Sequence, residues 1–377
     1  MATRPQPNIL EPNQLVVDKK RKNILLREPQ KLGSYSVKKG PEGRFYDGSS
    51  SELRVLSLPK NQKNIRFDLR DGYVRLRDGG EILCANLKEE PGLKEMLQWI
   101  LNNRHSFQLK SNVATDCLLN TDFVTYRGVL TRIMTAPYEN QEGWLVCVSK
   151  FKGTIYMCLF MSDEKREKEM GRDDQANLMC HGGLRFEEYI SVALDPSQAT
   201  GKEADTMYHN EYNCVVRSRI SNHSLVYGAE MDCLAVRPTD PETCQPKDFV
   251  EIKTTRTMST RRHWDNLCRF KMVKWWAQCH LIGIPTLVCG YRDDDMVVRD
   301  IQSLSVHEMP KTCKAFWFPD VCLSFLDTFL LFVKKTVTED DANVVYEFDW
   351  RPGSNVSVTK TTNRKRPVLT EWYCNSL

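Results

Sequence analysis

The sequence predicts one domain of the mixed α/β (α+β) class, in which helices and strands follow one another along 377 residues. Apolar residues recur at helical spacing over 93–101, which indicates an amphipathic helix. Two apolar runs within 144–160 predict a β-hairpin. A long helical pattern at 265–281 is followed by a strand pattern at 285–290. A chain of this length can bury a large core, and a mixed enzyme fold of this size can form a single domain.

The other elements follow from the same two periodicities. Residues 1–30 are polar and contain proline, so we expect a flexible N-terminal segment before a folded domain at 31–377. Gly283 and Pro285 end the long helix. The final strand pattern is expected to close the sheet. Further strand patterns lie at 215–217, 224–227, 233–236, 248–253 and 344–350, and further helical patterns lie at 184–192 and 322–333.

The composition excludes several classes of protein. Lys plus Arg total 53 against 49 Asp plus Glu, and a formal charge of +4 permits nucleic-acid binding without arguing for it. The fourteen cysteines form no Cys-x-x-Cys pair, so neither a zinc site nor a disulfide scaffold is indicated, and a reducing compartment fits best. Gly-rich phosphate loops and Gly-x-Ser-x-Gly elbows are missing, so kinase, P-loop and serine hydrolase readings have no support.

The expected location is nuclear, with the cytoplasm as a second possibility. The sequence shows no signal peptide and no apolar run long enough to span a membrane, so we expect no membrane association. The basic run at 19–22 is either a nuclear import signal or a solvated patch.

Two short charged triplets are the best candidates for chemistry. Glu230-Met231-Asp232 and Glu251-Ile252-Lys253 each lie among apolar, β-prone residues. If both triplets lie on strands, the two-residue period brings three carboxylates and one amine together. Such oxygen ligands suit Mg²⁺ or Mn²⁺, and the lysine could hold a water or a phosphate. The alternative for either triplet alone is a charged, solvent-facing hairpin.

Three further residues are candidates for the same site as these triplets. Arg127 lies in an apolar setting where a guanidinium needs an anionic partner, either a carboxylate or a substrate phosphate. Glu187 could supply a fourth carboxylate, although a helical glutamate is usually exposed. Gln278 shares a helical stripe with Lys271 and Lys274, which faces either a phosphate chain or water.

In this order the motifs resemble those of the DXO family of decapping exoribonucleases, over roughly residues 32–350. The resemblance rests on Thr-Tyr-Arg-Gly around Arg127, the run 183–187, the two acidic triplets, and Lys-Trp-Trp-Ala-Gln ending at Gln278. It implies a PD-(D/E)XK-like nuclease core, a mixed central β-sheet flanked by helices, in a decapping nuclease domain spanning 31–377.

The same resemblance implies the site residues and the cofactor. Mg²⁺ or Mn²⁺, as two ions, would be bound by Glu187, Glu230, Asp232, Glu251 and the main-chain carbonyl of Ile252. The catalytic residues would be Glu230, Asp232, Glu251 and Lys253. Substrate would meet Arg44, Tyr126, Arg127, Gly128, Glu187, Glu230, Lys253 and Gln278. At a position where the family can place a cysteine near the substrate, this chain has Asn213, with Cys214 next to it, so that role is not transferred.

The implied activity is hydrolysis at RNA 5′ ends. A monomer would remove a triphosphate, an incomplete guanosine cap or an NAD cap, and would then degrade the RNA 5′ to 3′. Two alternatives stay open. Paired carboxylates and a lysine indicate phosphodiester chemistry but do not choose RNA over DNA, so a nuclease with the same metal core and no cap activity is the nearer one. A non-catalytic RNA-binding adaptor is the farther one.

Overall fold

A computed structural model describes residues 23–40, 43–73, 92–107, 118–162, 165–167, 174–195, 210–362 and 366–377. The predicted import signal at 19–22 lies outside these ranges. Leu26 is already buried and forms a β-bridge with Ile220, so ordered contacts begin before residue 31. The division of the chain into 1–30 and 31–377 stays a prediction.

Nine of the described strands form one mixed sheet in the order β16-β15-β6-β7-β5-β10-β9-β1-β2. Pairing is parallel only between β7 and β5 and between β5 and β10. These strands are β1 (Gln30–Gly40), β2 (Gly43–Asp47), β5 (Phe123–Tyr126), β6 (Trp144–Phe151), β7 (Thr154–Phe160), β9 (Glu211–Ile220), β10 (His223–Glu230), β15 (Asp341–Trp350) and β16 (Ser357–Thr361).

The other seven described strands form a second mixed sheet in the order β4-β14-β13-β12-β11-β3-β8. Here β12 runs parallel to β13, and β11 runs parallel to β3. These strands are β3 (Arg54–Leu56), β4 (Lys63–Asp68), β8 (Ser191–Ala193), β11 (Cys233–Leu234), β12 (Phe249–Arg256), β13 (Thr286–Arg292) and β14 (Val297–Ser305).

The helices cover both sheets and fill the space between them. A π-helical turn at Leu267–Met272 joins α4 to α5. The helices are α1 (Lys94–Asn102), α2 (Arg127–Thr135), α3 (Asp174–Ile190), α4 (Arg261–Asn266), α5 (Val273–Ile282), α6 (Met309–Thr312), α7 (Pro319–Thr336) and α8 (Glu371–Ser376). Among the described residues, no helix is long and apolar enough to cross a membrane.

Strand alternation explains how the layers are assembled. On β6, Val146 and Val148 face the largest core cluster, which includes side chains of α2, α5, α7 and both sheets. Their neighbours Leu145 and Cys147 face a second cluster that includes side chains of α1 and α8. On the seven-stranded sheet, α3 covers the face that carries Ile252. Side chains of successive strand residues point to opposite faces, so the central strands of both sheets, such as β7, β10, β12 and β13, are buried on two sides.

The predicted fold class is confirmed, with two differences of arrangement. The strands form two mixed sheets, whereas one central sheet was predicted. The strand at 344–350 does not close its sheet, because β16 pairs beyond it. The predicted hairpin and the helices at 93–101 and 322–333 are confirmed, and Gly283 ends α5 with a positive φ of 84°. That left-handed conformation is one that glycine adopts without steric cost.

Candidate active site

The chain passes from one sheet to the other at the first acidic triplet. β10 ends at Glu230 in the nine-stranded sheet, and β11 begins at Cys233 in the seven-stranded sheet. The expectation that Glu230 and Asp232 share one strand face is therefore wrong. Met231 is buried, and its amide donates to the Tyr212 carbonyl at 2.9 Å. Asp232 thus occupies the connection between the two sheets.

The second triplet lies on β12, as predicted, and its first residue, Glu251, is buried. Only 1% of the Glu251 side chain is exposed. Its Oε1 lies 2.6 Å from the Lys253 ammonium, and its Oε2 accepts a hydrogen bond of 3.0 Å from Arg127 Nη1. The partner that the sequence required for Arg127 is therefore a carboxylate. Two cations hold one carboxylate, which explains how it remains charged in the interior.

The two triplets meet through Asp232. The main-chain amide of Ile252 donates to Asp232 Oδ2 at 2.5 Å. Burial, followed by the charge of Glu251, raises the pKa of Asp232 well above its usual value. Burial opposes the charged form of Lys253, but Glu251 and Asp232 outweigh it and raise the pKa of that lysine. Lys253 is therefore an ammonium at neutral pH, beside two carboxylates that repel each other.

Arg127 is brought to Glu251 by the parallel pairing of β5 with β10. Strand β5 ends at Tyr126, which pairs with Gly228, and helix α2 begins at Arg127. A Cβ at Gly228 would lie 2.9 Å from the Tyr126 ring, so this close approach requires glycine. Within the described residues no side chain caps the α2 N-terminus, and no atom lies within 4 Å of where a Gly128 Cβ would be. The first turn of α2 therefore lacks a side-chain cap from Tyr126 and has open space at Gly128.

Glu187 and Glu230 complete the predicted acidic set less directly. Glu187 lies on α3 and is partly buried, and its charge acts on both Asp232 and Lys253. Glu230 is also partly buried and pairs across strands with Asn213. Across the described ranges, no three His, Cys, Asp or Glu side chains are grouped closely enough to hold a metal as they stand. In this arrangement the negative charge of Glu251 is balanced by Arg127 and Lys253.

The predicted polar stripe on the long helix divides into separate contacts. The Lys274 ammonium lies 2.6 Å from a Glu139 carboxylate oxygen, so it is already paired. Lys271 lies in the π-helical turn, and its ammonium donates to the Thr255 hydroxyl at 3.3 Å. Gln278 is partly buried and precedes Cys279, whose thiol pKa is raised by burial and then by Glu251. The charge of Glu251 therefore acts on the residue that follows Gln278 on α5.

Arg44 belongs to a second charged network on the outer strands. Its guanidinium donates to both Glu211 oxygens at 3.0 and 2.9 Å and to Glu95 at 3.2 Å. Lys39 also pairs with Glu211, at 2.5 Å. A cavity of about 240 Å³ opens here, lined by Arg44, Tyr46, Lys94, Glu95, Gln98 and Trp372.

Two acidic residues of this network were missed in the sequence. Glu95 is buried on α1, although the apolar spacing of that helix predicts only an amphipathic helix and no charged partner for Glu95. Helical spacing places it one turn before the buried Trp99, and that position was the available signal. Glu211 had no local signal, because its two cationic partners come from β1 and β2.

A glutamate and a lysine two residues apart on one strand, with an aspartate bound to the amide between them, define a nuclease of the PD-(D/E)XK class. The family model described as RAI1 like PD-(D/E)XK nuclease matches residues 27–374, and the chain belongs to that family. This confirms the resemblance inferred from the ordered motifs.

Known relatives match the chain over almost its whole length. The Decapping and exoribonuclease protein of Mus musculus is 33% identical over 355 residues, which cover 93% of this chain and 85% of the mouse protein. The structure of Candida albicans Rai1 in complex with pU5-Mn²⁺ has a TM-score of 0.78 at 20% identity and covers 99% of each chain. The structure of Scheffersomyces stipitis Rai1 in complex with (3′-NADP)⁺ and calcium ion has a TM-score of 0.76 at 18% identity. It covers 98% of this chain and 99% of the Scheffersomyces stipitis chain. At these low identities, the two structures show that the fold is shared.

Proposed function

We propose that this protein is a divalent-metal-dependent hydrolase that removes triphosphates, incomplete guanosine caps or NAD caps from RNA 5′ ends and then degrades the RNA 5′ to 3′. The observation that carries the proposal is the buried Glu251 between Arg127 and Lys253, beside Asp232. The mouse relative's name gives the two activities, and the two Rai1 structures contain an RNA with manganese and a nicotinamide dinucleotide with calcium.

The donor set fits a hard divalent cation. Asp232 and Glu251 repel each other in a buried site, and oxygen ligands of this kind suit Mg²⁺ or Mn²⁺. Glu187, Glu230, Asp232, Glu251 and the Ile252 carbonyl would hold two ions. When bound, such ions supply an activated water and stabilise the entering and leaving oxygens of the phosphate.

Lys253 has a role that no carboxylate can fill. As an ammonium it can donate hydrogen bonds but cannot bind a metal. It either orients the attacking water or stabilises the charge that develops on the phosphate. Both roles need its fixed position next to Glu251, which the 2.6 Å contact provides.

The N-terminus of α2 is suited to bind a substrate phosphate. Its first turn has no side-chain cap and begins with Arg127, and a helix N-terminus favours an anion. Tyr126 and the open space at Gly128 border this position. Recognition of a phosphate and not of one base accounts for tolerance of several 5′ ends.

Arg44 and Gln278 would contact substrate on either side of this centre. Arg44 lines the cavity on the outer strands, and its network includes Glu95, whose charge acts on Tyr126. Gln278 lies on α5 near Glu251. We also propose that the protein acts as a monomer in the nucleus, with the cytoplasm as a further location.

The proposal is tested with RNAs that share one labelled body and differ only at the 5′ end. Triphosphate, unmethylated guanosine cap, NAD cap and monophosphate ends are each incubated with Mg²⁺ or Mn²⁺, with and without a chelator. We expect metal-dependent removal of each end, followed by degradation of the body. Glu230→Ala and Asp232→Ala should abolish decapping and exonuclease activity together, because both reactions use one site.

Other outcomes would contradict the proposal in distinct ways. Equal cleavage of the matching DNA with capped RNA left intact would favour a nuclease without cap activity. RNA binding with no cleavage under any metal would favour an adaptor. A variant that loses one activity and keeps the other would refute the single shared site.

A further inference from the structure

Lys271 makes an unusual contact for a surface lysine. The residue is exposed, yet its ammonium reaches inward to the hydroxyl of Thr255, which is 3% exposed on β12. Among the described residues no carboxylate forms an ion pair with Lys271. Its ammonium donates a hydrogen bond to the neutral Thr255 hydroxyl. The other lysine of the predicted stripe, Lys274, is paired with Glu139. The Lys271 ammonium therefore lies at Thr255 and forms no ion pair within the described ranges.

The position of Thr255 connects this lysine to the active site. Glu251, Lys253 and Thr255 alternate along β12, so their side chains lie on one face of the strand. Neighbouring members of this row are about 6.6 Å apart along the strand. Arg127 lies on the Glu251 side of the row, and Lys271 lies at the opposite end.

A second cation, Arg292, lies beside the same end of β12, and its charge acts on Lys271. Although the residue as a whole is exposed, its ammonium points inward, and burial lowers the pKa of Lys271; Cys289 opposes this effect and the charge of Arg292 adds to it. Arg292 donates to the Asp293 carbonyl and to the Met179 sulfur, neither of which is an anion. Arg292 reaches Met179 of α3 on the opposite face of the sheet, and the charges of Asp294 and Asp293 act on it, so of these two cations Lys271 is the one on the Thr255 face. An anion that approaches this face would stabilise the Lys271 charge.

We infer that Lys271 binds a backbone phosphate of the RNA body, on the 3′ side of the scissile phosphate, and that Thr255 positions its ammonium. The inference rests on the proposed function, because the 5′ end is assigned there to Arg127, Tyr126 and Arg44. A substrate held in that way passes Glu251 and Lys253 and continues past Thr255. A lysine serves such a contact as a point charge with three donors.

The test compares RNA affinity at several salt concentrations. A 5′-monophosphate pentauridine with phosphorothioate linkages is titrated into wild type and Lys271→Ala. We expect affinity near 0.15 M salt to fall about tenfold, and the slope of log affinity against log salt to decrease in magnitude by about 0.7, the contribution of one phosphate contact on a single strand. Lys271→Arg should retain the slope. Thr255→Val, which removes the acceptor, should weaken binding with a smaller change of slope.

Substrate length gives a second readout. Hydrolysis of a dinucleotide cap, which lacks an RNA body, should change less than twofold in Lys271→Ala, while KM for a capped RNA rises about tenfold. Lys311→Ala is the matched control, since that exposed lysine pairs with the carboxylate of Glu308, whereas Lys271 contacts a neutral hydroxyl. Thermal melting of each variant checks the fold.

Three results would overturn the inference. They are an unchanged affinity and salt slope in Lys271→Ala, an equal loss on the dinucleotide, and an equal loss in the Lys311 control. The binding arm needs no turnover, so it stands apart from the proposed function. Wild type that binds RNA but cleaves nothing would refute that function, whereas a normal wild type with an unaffected variant would refute only the role of Lys271.

Discussion

Glu251 is 1% exposed, with Arg127 bound to one carboxylate oxygen and Lys253 to the other. Removing one partner from a buried ion pair leaves a charge without compensation, which is strongly destabilising. Here the removal of one cation destabilises the fold less than it would otherwise, because the Glu251 carboxylate keeps the other cation as a partner. At the scale of single residues, charge balance and chemistry are therefore linked, and each variant needs separate measurements of stability, binding and turnover.

Lys253 is predicted to act on turnover and not on binding. Lys253→Ala should keep RNA and metal binding but lower turnover by about a hundredfold or more, as expected when one preorganised donor is lost from the transition state. Arg should not fully restore activity, because its planar fork differs from a compact ammonium. Single-turnover cleavage of a 5′-monophosphate RNA at saturating metal measures the effect. Near-normal turnover in the alanine variant would remove this lysine from the mechanism.

Arg127 and Gln278 are predicted to act on substrate more than on metal. Their alanine variants should bind RNA more weakly and still bind Mg²⁺ or Mn²⁺, since neither side chain is a favoured ligand. Arg127→Ala should also lower the free energy of unfolding by about 3 kcal/mol, because Glu251 loses one buried partner. RNA titration, metal calorimetry and urea unfolding separate these effects.

A matched arginine on the same helix provides the control. Arg132 on α2 pairs with Glu142 at 2.9 Å, and its side chain is 34% exposed. Arg132→Ala should leave RNA affinity unchanged and cost less than about 1 kcal/mol, as for other exposed ion pairs. Normal RNA affinity together with lost metal binding in Arg127→Ala would reverse the assignment.

At the scale of elements, the position of Glu187 depends on how α3 packs on the seven-stranded sheet. Phe186 is fully buried and packs over Gly290 on β13. A Cβ at Gly290 would lie 2.6 Å from the Phe186 ring, a distance that forces a displacement. Since Glu187 follows Phe186 directly, a shift of α3 moves a proposed metal ligand.

Gly290→Ala should therefore reduce both stability and activity. We expect a loss of about 1 to 3 kcal/mol from overpacking, with lower turnover and a higher metal requirement. Gly183→Ala on α3 is the control, because no atom lies within 4 Å of its Cβ position, and alanine there should stabilise the helix by up to about 1 kcal/mol. Urea unfolding and a metal titration of activity provide the measurements. If Gly290→Ala behaves like the control, contact with Phe186 does not position α3.

At the scale of the whole molecule, charged contacts also hold the outer strands of the nine-stranded sheet. Glu211 on β9 binds Arg44 of β2 and Lys39 of β1. Burial opposes its ionisation, but Lys39 and Arg44 outweigh burial and lower the pKa of Glu211 to about 2. Because the folded pKa lies below the unfolded value of about 4.3, the carboxylate contributes stability above that value. The contribution is lost as pH falls toward 2.

Glu211→Gln should remove this pH dependence. Wild type should lose on the order of 3 kcal/mol of unfolding free energy between about pH 5 and pH 2 through this group, and the variant should start lower and lose less. Urea unfolding at a series of pH values measures the difference. Glu339→Gln, at an exposed pair with Lys360, should keep the wild-type slope. If the unfolding free energy falls equally steeply with decreasing pH in wild type and Glu211→Gln, Glu211 is not the group responsible.

Local sequence patterns were sufficient to predict the fold class, most long elements and the order of the motifs. Those features depend on local periodicity, which a helix or strand repeats regardless of what packs on it. The second triplet was predicted for the same reason, because Glu251 and Lys253 lie on one regular strand. The need of Arg127 for an anion also followed from its apolar neighbours.

The partners of those residues depend on contacts between elements that are far apart in the sequence. The division into two sheets places Asp232 at the crossing between them, where strand alternation no longer applies. The choice of Glu251 as the partner of Arg127, and of Glu211 as the partner of Arg44, joins residues 124 and 167 positions apart. No local pattern encodes such pairs, because their geometry is set by the packing of separate strands and helices around a shared core.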